Sequence, residues 1–306
     1  MDLAADNPHQ LASAPIVVGV DGSPAAADAV RWAAGVAAER GRELLVATGT
    51  NLDVTRALLG SYSQLQPDVT ESIHQYGDEK VAAASELARE LYPAVVVRTE
   101  VSSAHPASLL IDLSATAHLL VIGGPVDRTG AGRLGSILLS VASKSEGAVV
   151  VVRGAERRWS DGPVVVGVDG SATSAAATAA AFEEAALRGV PLVAVHAWQE
   201  PLFESYARLL QPPADPQDIL RAEEEVLGER LAGWQERFPE VNVRREVTLG
   251  DARELLADWS ERAQLLVVGS RGRGAIVGGL LGSTSNTLVQ RSHCPVMVVH
   301  EARNRA

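Results

Sequence analysis

The sequence predicts an α/β protein made of two tandem, doubly wound domains, each with a parallel five-stranded sheet in the order 3-2-1-4-5. Three observations support this prediction. The chain has 306 residues, which suits two domains of about 150 residues each. Short apolar runs alternate with longer helical patterns, and the same segments occur twice in the same order. We expect the two sheets to pack together as a pseudo-dimer.

An internal repeat defines the two domains. Three pairs of matching segments share nearly the same offset. They are 16–23 with 164–171, 119–124 with 265–270, and 134–136 with 281–283, at offsets of 148, 146 and 147 residues. A nearly constant offset indicates a tandem duplication with small loop insertions. We therefore expect a flexible tail at 1–14, a first domain at 15–153 and a second domain at 163–300, joined by the polar linker RGAERRWSDGP.

Each repeat opens with a strand and a helix. In the first repeat the apolar run PIVVGV at 15–20 predicts a buried strand. Ser23 followed by Pro24 predicts the start of a helix, and Gly41 predicts its end. In the second repeat the matching helix is expected to end at Gly189.

The remaining strands are short apolar runs. They are expected at 43–48, 94–101, 118–123 and 148–152 in the first repeat and at 191–197, 241–247, 264–269 and 295–299 in the second. Such runs, separated by helical patterns, indicate a parallel sheet covered on both faces. In the order 3-2-1-4-5 the last strand of each repeat lies at an edge. Since apolar edges are normally paired, we expect the domains to pair within the chain, and a homodimer of chains is plausible.

Composition excludes several classes of protein. The net charge is -11, and no basic cluster offsets it, so we expect no nucleic-acid partner. The single cysteine, Cys294, excludes an internal disulfide, and His293 beside it lacks further ligands for a metal. There is no apolar run of about 18 residues and no secretory leader pattern, which predicts a cytoplasmic protein without a membrane partner.

A glycine-rich segment follows the fourth strand of the second repeat. In doubly wound sheets, ligands bind at the carboxyl ends of the strands where the strand order reverses. Asp169 ends strand one and Gly269 ends strand four, so both should face one crevice. The loop leads into a helix whose first turn carries hydroxyl groups at 283–285, which suit phosphate oxygens at a helix N-terminus. The spacing therefore predicts a phosphate-binding loop.

Other motifs fit less well. A P-loop requires a lysine before the Ser/Thr, whereas Leu281 and Gly282 precede Ser283. Gly272 and Gly274 follow the fourth strand rather than the first, which argues against a dinucleotide fingerprint. A lone His196 at the end of a buried strand is interpreted as a packing residue. No catalytic triad or metalloprotease motif is found, so no catalytic residue is assigned.

The pattern Gly269-x2-Gly272-x9-Gly282-Ser283 resembles the ATP-binding signature of the universal stress protein family, and VVVGVDGS resembles its first strand with a nucleotide-contacting aspartate. The resemblance covers about 15–153 and 163–300. It implies a flavodoxin-like, adenine nucleotide hydrolase-like fold that binds ATP with Mg²⁺. The implied binding residues of the second domain are Gly167, Val168, Asp169, Ser171, Ala197, Val268, Gly269, Arg271, Gly272, Arg273, Gly282, Ser283, Thr284 and Ser285.

By this resemblance, adenine would lie against Val168 and the main chain of Ala197, with Asp169 near the ribose. The glycines and the hydroxyl groups at 283–285 would hold the phosphates. Arg271 and Arg273 are not fixed by the motif, and either phosphate contact or a solvated loop fits them.

The first domain departs from this pattern. Val126 stands where Gly272 stands, Pro125 precedes it, and the loop is one residue shorter, although Gly130 and Gly132 give some room. A β-branched residue would crowd an approaching phosphate. We therefore expect one tight nucleotide per chain and a weaker second site at most. The matching residues are Gly19, Val20, Asp21, Ser23, Gly123, Gly132, Gly135 and Ser136.

The function implied by the resemblance is that of an ATP-binding regulator of stress response or growth arrest, with little or no turnover. Two alternatives remain at this stage. A nucleotide-activating enzyme of a related fold would normally carry a Ser-Gly-Gly-x-Asp-Ser loop, which GVDGS lacks. A nucleotide-free interaction scaffold would act through its surfaces alone.

Overall fold

The computed structural model describes His9 and residues 13–52, 67–124, 135–153, 162–198, 216–272 and 281–301, and the structural statements below concern these residues. The predicted site residues Gly132 and Arg273 lie outside them, as do Pro125, Val126 and Gly130. The chain forms two compact units that follow the two repeats, here named unit 1 and unit 2.

Unit 1 alternates strands and helices along the chain. Its strands are β1 Ile16–Gly19, β2 Leu44–Gly49, β3 Val97–Ser102, β4 Leu119–Gly123 and β5 Ala148–Val152. Its described helices are α1 Pro24–Arg40, α2 Pro67–Leu91, α3 Pro106–Ser114 and α4 Ser136–Lys144. The strands pair in parallel in the order β3-β2-β1-β4-β5.

Unit 2 repeats the same arrangement. Its strands are β6 Val164–Gly167, β7 Leu192–Trp198, β8 Val243–Leu249, β9 Leu265–Gly269 and β10 Val296–Val299. Its described helices are α5 Ala172–Arg188, α6 Pro216–Arg237, α7 Ala252–Ser260 and α8 Ser283–Arg291. The parallel order is β8-β7-β6-β9-β10. The predicted α/β class, parallel pairing and 3-2-1-4-5 order are therefore confirmed in each unit.

The first helix of each unit begins and ends as the sequence predicts. The Ser23 and Ser171 side chains accept hydrogen bonds from main-chain N–H groups of the first turn. Gly41 and Gly189 end the helices in the left-handed region, with φ of 58° and 63°, a conformation that glycine adopts without a steric penalty.

The core is made of the central strands and the helix faces that cover them. Strands β1 and β6 and the strands beside them are almost fully buried, and Phe182 of α5 stacks with Trp234 and Phe238. Cys294, just before β10, is 1% exposed. The outer strands β3 and β8 are half-exposed and carry charged residues, which disfavour pairing with another chain.

Because the direction of progression through the sheet reverses after the third strand, right-handed crossovers place helices on both faces. The reversal lies between β1 and β4 in unit 1 and between β6 and β9 in unit 2. The connections that leave these neighbouring strands go to opposite faces of the sheet, which leaves a crevice at the carboxyl ends of the strands. Among the described helices, none combines the length and apolar character that crossing a lipid bilayer would require.

Candidate functional site

A cleft of about 290 Å³ lies at the carboxyl ends of β6, β7 and β9 in unit 2. Most of the predicted binding residues line it. They are Gly167, Val168, Asp169, Ala197, Val268, Gly269, Arg271, Gly272, Gly282, Ser283, Thr284 and Ser285. Ser171 is not among the lining residues, and Arg273 lies outside the described residues. The structure thus brings together residues that are more than 100 positions apart in the sequence.

The turn after β6 holds the Asp169 carboxylate in a fixed position. Its Oδ1 accepts hydrogen bonds from the Ser171 N–H at 2.9 Å and from the Ser171 hydroxyl at 2.7 Å. The chain turns at Gly170, whose φ is +82°. The Asp169 N–H donates to Ser174 Oγ at 3.0 Å. The carboxylate is therefore oriented by its own turn.

Ser171 has a structural role in this turn. Its Oγ is the N-cap acceptor of α5, with the Ser174 N–H at 3.2 Å, and its hydroxyl hydrogen goes to Asp169. Both functions of the hydroxyl are then used within the protein. Ser171 positions Asp169 and the helix, and it leaves the cleft lining to other residues.

The described glycines of the loop are required by protein contacts. A Cβ at Gly269 would lie 2.8 Å from the Thr173 carbonyl carbon, and one at Gly272 would lie 2.7 Å from Asp169 Oδ2. One at Gly282 would lie 3.3 Å from Arg271 Cα. None of these three glycines has a positive φ. Close packing of loop, turn and helix, rather than a sharp turn, therefore explains them.

The Arg271 backbone is held against α5. Its carbonyl accepts a hydrogen bond from Thr173 Oγ1 at 2.5 Å, while its side chain is exposed. Arg271 therefore lines the cleft with its main chain held against α5.

The N-terminus of α8 opens onto the cleft without a side-chain cap. The N-cap residue is Gly282, which has no side chain to accept a hydrogen bond from the first turn. The N–H groups of that turn are therefore left for another acceptor. The Ser285 hydroxyl donates to the Gly269 carbonyl at 2.6 Å. Ser283 is exposed and Thr284 is half-exposed. The main-chain N–H groups and these two hydroxyls are thus the donors at this end, and Ser285 can contribute only its N–H.

Apolar side chains form the opposite wall. Val168, Val195 and Val268 come from three neighbouring strands, and Ala252 and Leu256 come from α7. The sequence analysis missed Ser174, Val195, Ala252 and Leu256. Ala252 and Leu256 are separated by four residues and so share a helix face. Leu256 also matches Leu110 at the repeat offset of 146, which could have drawn attention to it.

Helix α7 is fixed at its start by Asp251, which is its N-cap residue. The carboxylate accepts from the Arg253 N–H at 2.8 Å and from its guanidinium Nε at 2.9 Å. The side-chain hydrogen bond from Arg253 holds the pKa of the Asp251 carboxyl below its usual range. The ionised Asp251 carboxylate therefore stabilises the start of α7, the helix that carries Leu256.

His196 supports the cleft from behind. It is 2% exposed, its Nδ1 lies 2.6 Å from the Val168 carbonyl oxygen, and its Nε2 lies 3.1 Å from Glu223 Oε2. The Val168 carbonyl oxygen can only accept, so the ring donates the hydrogen bond at Nδ1. His196 thus links α6 to the end of β6, as the interpretation as a packing residue expects.

A basic side chain packs against the glycine that follows the aspartate at the end of the first strand in each unit, Gly170 in unit 2 and Gly22 in unit 1. The Arg230 guanidinium in unit 2 lies 2.7 Å from the position of a Cβ at Gly170, and its Nη1 is buried without a hydrogen bond. In unit 1 the Lys80 side chain packs on Gly22, with its Cγ 3.5 Å from the position that a Cβ at Gly22 would take. The Lys80 ammonium lies 4.1 Å from the centre of the Tyr76 ring.

Unit 1 has a larger cavity at the matching position, with a volume of about 790 Å³. Its described lining residues are Gly19, Val20, Asp21, Ser23, Pro24, Ala25, Ala26, Asp28, Ala47, Thr48, Gly49, Lys80, Pro106, Leu110, Ile122, Gly123, Gly135, Ile137 and Leu138. Gly123 packs on α1 as Gly269 packs on α5. The first turn of α4 differs from that of α8, because Ile137 and Leu138 stand where Thr284 and Ser285 stand.

Among the described residues, no three His, Cys, Asp or Glu side chains are grouped closely enough to hold a metal ion. Asp169 is the one carboxylate of the described lining of the unit 2 cleft. A protein-only metal centre is therefore not formed by this part of the chain.

Known proteins resemble this chain along most of its length. The model of the universal stress protein family matches residues 13–153 and 162–300. A universal stress protein of Mycobacterium tuberculosis (strain ATCC 25618 / H37Rv) is 37% identical over 295 residues, covering 94% of this chain and 96% of the relative. Another from Mycolicibacterium smegmatis is 36% identical over 301 residues, covering 93% and 96%.

A solved structure shares the fold. The crystal structure of a universal stress protein from Archaeoglobus fulgidus matches with a TM-score of 0.66 and 19% identity, over 95% of this chain and 99% of that one. The duplicated α/β units, the conserved order of their strands and the two matches to the family model lead to one conclusion: the chain belongs to the universal stress protein family, as a tandem of two such domains.

Proposed function

We propose that unit 2 binds ATP with Mg²⁺ and that the protein acts as a nucleotide-dependent regulator with little or no turnover. The observation that carries this proposal is the convergence of three features on one cleft. They are the uncapped N-terminus of α8, the oriented Asp169 carboxylate and the apolar wall around Leu256.

The cleft offers different chemistry at its two ends. The apolar wall of Val168, Val195 and Leu256 suits a planar base, which gains free energy from leaving water. The α8 N-terminus suits an anion, because uncapped N–H groups and the helix dipole both favour negative charge there. Asp169 lines the same cleft, and its carboxylate suits the hydroxyls of a sugar. A nucleoside phosphate satisfies all three.

The donors at the phosphate end support a charged ligand. Ser283 and Thr284 offer hydroxyls, Gly282 leaves the first-turn N–H groups uncapped, and Arg271 carries an exposed guanidinium. Hydrogen bonds between such donors and a charged acceptor stabilise by about 1.5–3 kcal/mol each. Since Ile137 replaces Thr284 in the first domain, one of the two hydroxyls open to a ligand is lost there, and unit 2 is the proposed tight site.

Mg²⁺ fits this site as a companion of the ligand. The ion needs about six oxygen ligands and is commonly held by one or two carboxylates together with substrate phosphates and water. Asp169 is the available carboxylate, and its Oδ1 already accepts two hydrogen bonds. When bound, the ion would neutralise phosphate charge, while Asp169 and the α8 donors orient the ligand.

Low turnover is proposed from the chemistry of the lining. The described lining holds no histidine, cysteine or lysine, and Asp169 is its one carboxylate. Efficient hydrolysis requires a positioned base or a water-orienting group. Because Asp169 is proposed as a ligand of the sugar and of Mg²⁺ rather than as a base, we propose that binding, not hydrolysis, is the regulatory event.

Gly282→Val tests the proposed ATP site. The new side chain would press on Arg271 Cα and Ser270, displacing the loop from the α8 N-terminus. We expect calorimetric ATP affinity to fall at least about tenfold, or about 1.4 kcal/mol. Gly233→Val is the matched control, because a Cβ there meets nothing within 4 Å. Unchanged ATP affinity in Gly282→Val, with intact circular dichroism, would reject the assignment.

Assembly is a second part of the proposal and rests on sequence. The apolar segments 148–152 and 295–299 end the strand order of their own units. We propose that the domains pair within the chain, that homodimers form on the same principle, and that the acidic protein binds no nucleic acid. Residues 1–155 and 160–306 expressed separately should melt below the intact chain; halves that melt at the same temperature would contradict the pairing.

A further inference from the structure

We infer that unit 1 holds the N-terminal segment of the chain through a histidine junction that opens on acidification, and that unit 2 has a version of this junction that does not respond to pH. The histidine junction consists of Arg40, His118 and His9. His118 directly precedes β4, so the junction lies at the amino ends of the strands, whereas the cavities lie at the carboxyl ends. The inference is therefore independent of the proposed nucleotide site.

The hydrogen bonds of the His118 ring define its protonation state. Its Nδ1 lies 2.8 Å from the His9 carbonyl oxygen, which can only accept, so Nδ1 carries a hydrogen. Its Nε2 lies 2.7 Å from Arg40 Nη1, which can only donate, so Nε2 carries none. The junction therefore requires the neutral ring.

Unit 2 has the same junction with an amide in place of the imidazole. Gln264 stands at the repeat position of His118, and Arg188 ends α5 as Arg40 ends α1. Gln264 Oε1 accepts from Arg188 Nη1 at 3.2 Å, and its Nε2 donates to the Gly162 carbonyl at 2.6 Å. A glutamine amide does not titrate, so this version keeps its donor and its acceptor when the pH falls.

The main chain around the two junctions is also equivalent. The His118 N–H donates to the Pro15 carbonyl at 2.8 Å, and the Gln264 N–H donates to the Pro163 carbonyl at 3.1 Å. Both side chains therefore start from the same place beside the first strand of their unit. The difference in titration comes from the side chain.

His9 is the residue of the N-terminal segment that the histidine junction holds. Its ring Nδ1 donates to the Ala117 carbonyl at 2.7 Å, and a Cβ at Gly147 would lie 2.8 Å from its Cε1. Protonation of His9 itself leaves the Nδ1 donor in place. Ala14 is held separately, because Arg42 Nη1 donates to its carbonyl at 2.8 Å. We therefore expect the release to include His9 and to end before Ala14.

A proton on His118 Nε2 removes the acceptor for Arg40. Two donors would then face each other over 2.7 Å, with a positive charge beside the guanidinium group. The charged and titratable groups around the junction are Arg40, Arg42 and His9, and burial together with the Arg40 charge lowers the pKa of Arg42. His118 is half-buried, so protons reach it from solvent.

The direction of the pH effect follows from this conflict. The released form of the segment lets His118 bind a proton that the docked form does not accommodate. The docked form is therefore favoured above the ordinary pKa of a histidine, about 6.5, and loses this advantage as the pH falls.

The fluorescence anisotropy of a dye at position 10 tests the inference in the full chain. Gln10→Cys adjoins His9, and the native Cys294 is 1% exposed, so a maleimide dye should react at position 10. We expect high anisotropy at about pH 7.5 and a fall on titration to about pH 5.5. The ratio of docked to released segment should decrease by up to about tenfold per pH unit, the limit for one proton. Constant anisotropy over this range would overturn the inference.

Substitutions of His118 in the labelled chain identify the titrating group. His118→Gln gives unit 1 the residue that unit 2 has at this position, so its anisotropy should stay high at both pH values. His118→Ala lacks both the donor and the acceptor and should show low anisotropy already at about pH 7.5. A fall in His118→Gln equal to that of the labelled chain, or low anisotropy of His118→Gln at both pH values, would overturn the inference. Circular dichroism is recorded in parallel, and a loss of helix signal that accompanies the fall in anisotropy would overturn it as well.

Discussion

Unit 1 and unit 2 share a backbone plan but differ in the side chains around their cavities. In both, the first strand ends in an aspartate whose Oδ1 accepts from a serine N–H, and that serine caps the next helix. In both, the glycine that ends the fourth strand packs on that helix. The first turn of the following helix is Ser-Thr-Ser in unit 2 and Ser-Ile-Leu in unit 1. The backbone contacts are therefore shared by the two units where the side chains that line the cavities differ.

The support behind the cavity also differs. In unit 1, Thr48 Oγ1 donates to the Val20 carbonyl at 2.7 Å. In unit 2, His196 takes the same position and reaches both the Val168 carbonyl and Glu223. The equivalent main-chain carbonyl therefore accepts a hydrogen bond from a threonine hydroxyl in unit 1 and from a histidine that also contacts Glu223 of α6 in unit 2.

The largest expected effect tests the contact that both units share. Gly123→Ala and Gly269→Ala would each place a Cβ within 3 Å of helix backbone, at 2.3 Å from Ala25 O and 2.8 Å from the Thr173 carbonyl carbon. We expect each change to destabilise its unit by about 2–3 kcal/mol through overpacking. Thermal unfolding followed by circular dichroism measures this. Gly233→Ala is the control and should be neutral or stabilising, since it lies in a helix with open space around it.

Equal melting of wild type and both variants would mean that the shared glycines are not required for packing. A loss in one unit alone would show that the units differ in backbone packing as well as in the side chains that line their cavities.

A smaller effect separates the two supports. His196→Thr would give unit 2 the residue that unit 1 has at this position, Thr48. It keeps a hydrogen-bond donor for the Val168 carbonyl but loses the hydrogen bond to Glu223. We expect a destabilisation of about 1–2 kcal/mol, from the lost hydrogen bond to Glu223 and reduced packing. Thr48→Val in unit 1 should cost about 1 kcal/mol for its single hydrogen bond. Chemical denaturation of each variant gives both values; a larger loss for Thr48→Val would reverse the comparison.

The smallest effect concerns the helix that carries Leu256. Asp251→Asn keeps an N-cap acceptor for α7 but removes the charge that Arg253 stabilises. Because the folded pKa of Asp251 is depressed, its contribution is present above the unfolded pKa of about 4 and is lost as pH falls through the folded value. The wild type should therefore melt slightly above the variant at pH 7, and the gap should narrow as the pH falls below about 4.

High salt should shrink the same gap at pH 7, since the pair is largely solvent-exposed. In unit 1 the corresponding helix is capped by His105, whose ring nitrogen accepts from Ala107 N–H at 3.2 Å. A gap between wild type and Asp251→Asn that does not narrow as the pH falls below about 4 would show that the carboxylate charge is not its source.

The sequence predicted the features that depend on short-range patterns. Continuous apolar runs located the strands, the Ser23-Pro24 pair and Gly41 located a helix, and the repeat placed Asp169 and Gly269 at neighbouring strand ends. The strand and helix predictions succeeded because the spacing of apolar residues and the helix caps are set by short segments of sequence. The placement of Asp169 and Gly269 succeeded because the duplication showed which strands correspond.

Features that depend on packing between distant segments were not predicted. The apolar periodicity of α7 shows that Leu256 is buried but does not show which cavity it lines. The bond between His196 and Glu223 joins residues 27 positions apart on a strand and a helix. The glycines of the loop were attributed to a nearby ligand, whereas the structure gives each described one a close protein neighbour.

The shielded thiol of Cys294 makes the chain suitable for site-selective chemistry. It is the single cysteine of the sequence and is 1% exposed, so a maleimide should react with it slowly in the folded protein. A cysteine introduced at an exposed position, such as Ser283 beside the unit 2 cleft, would then carry a fluorophore alone. A fluorophore at Ser283 would then report on the unit 2 cleft alone.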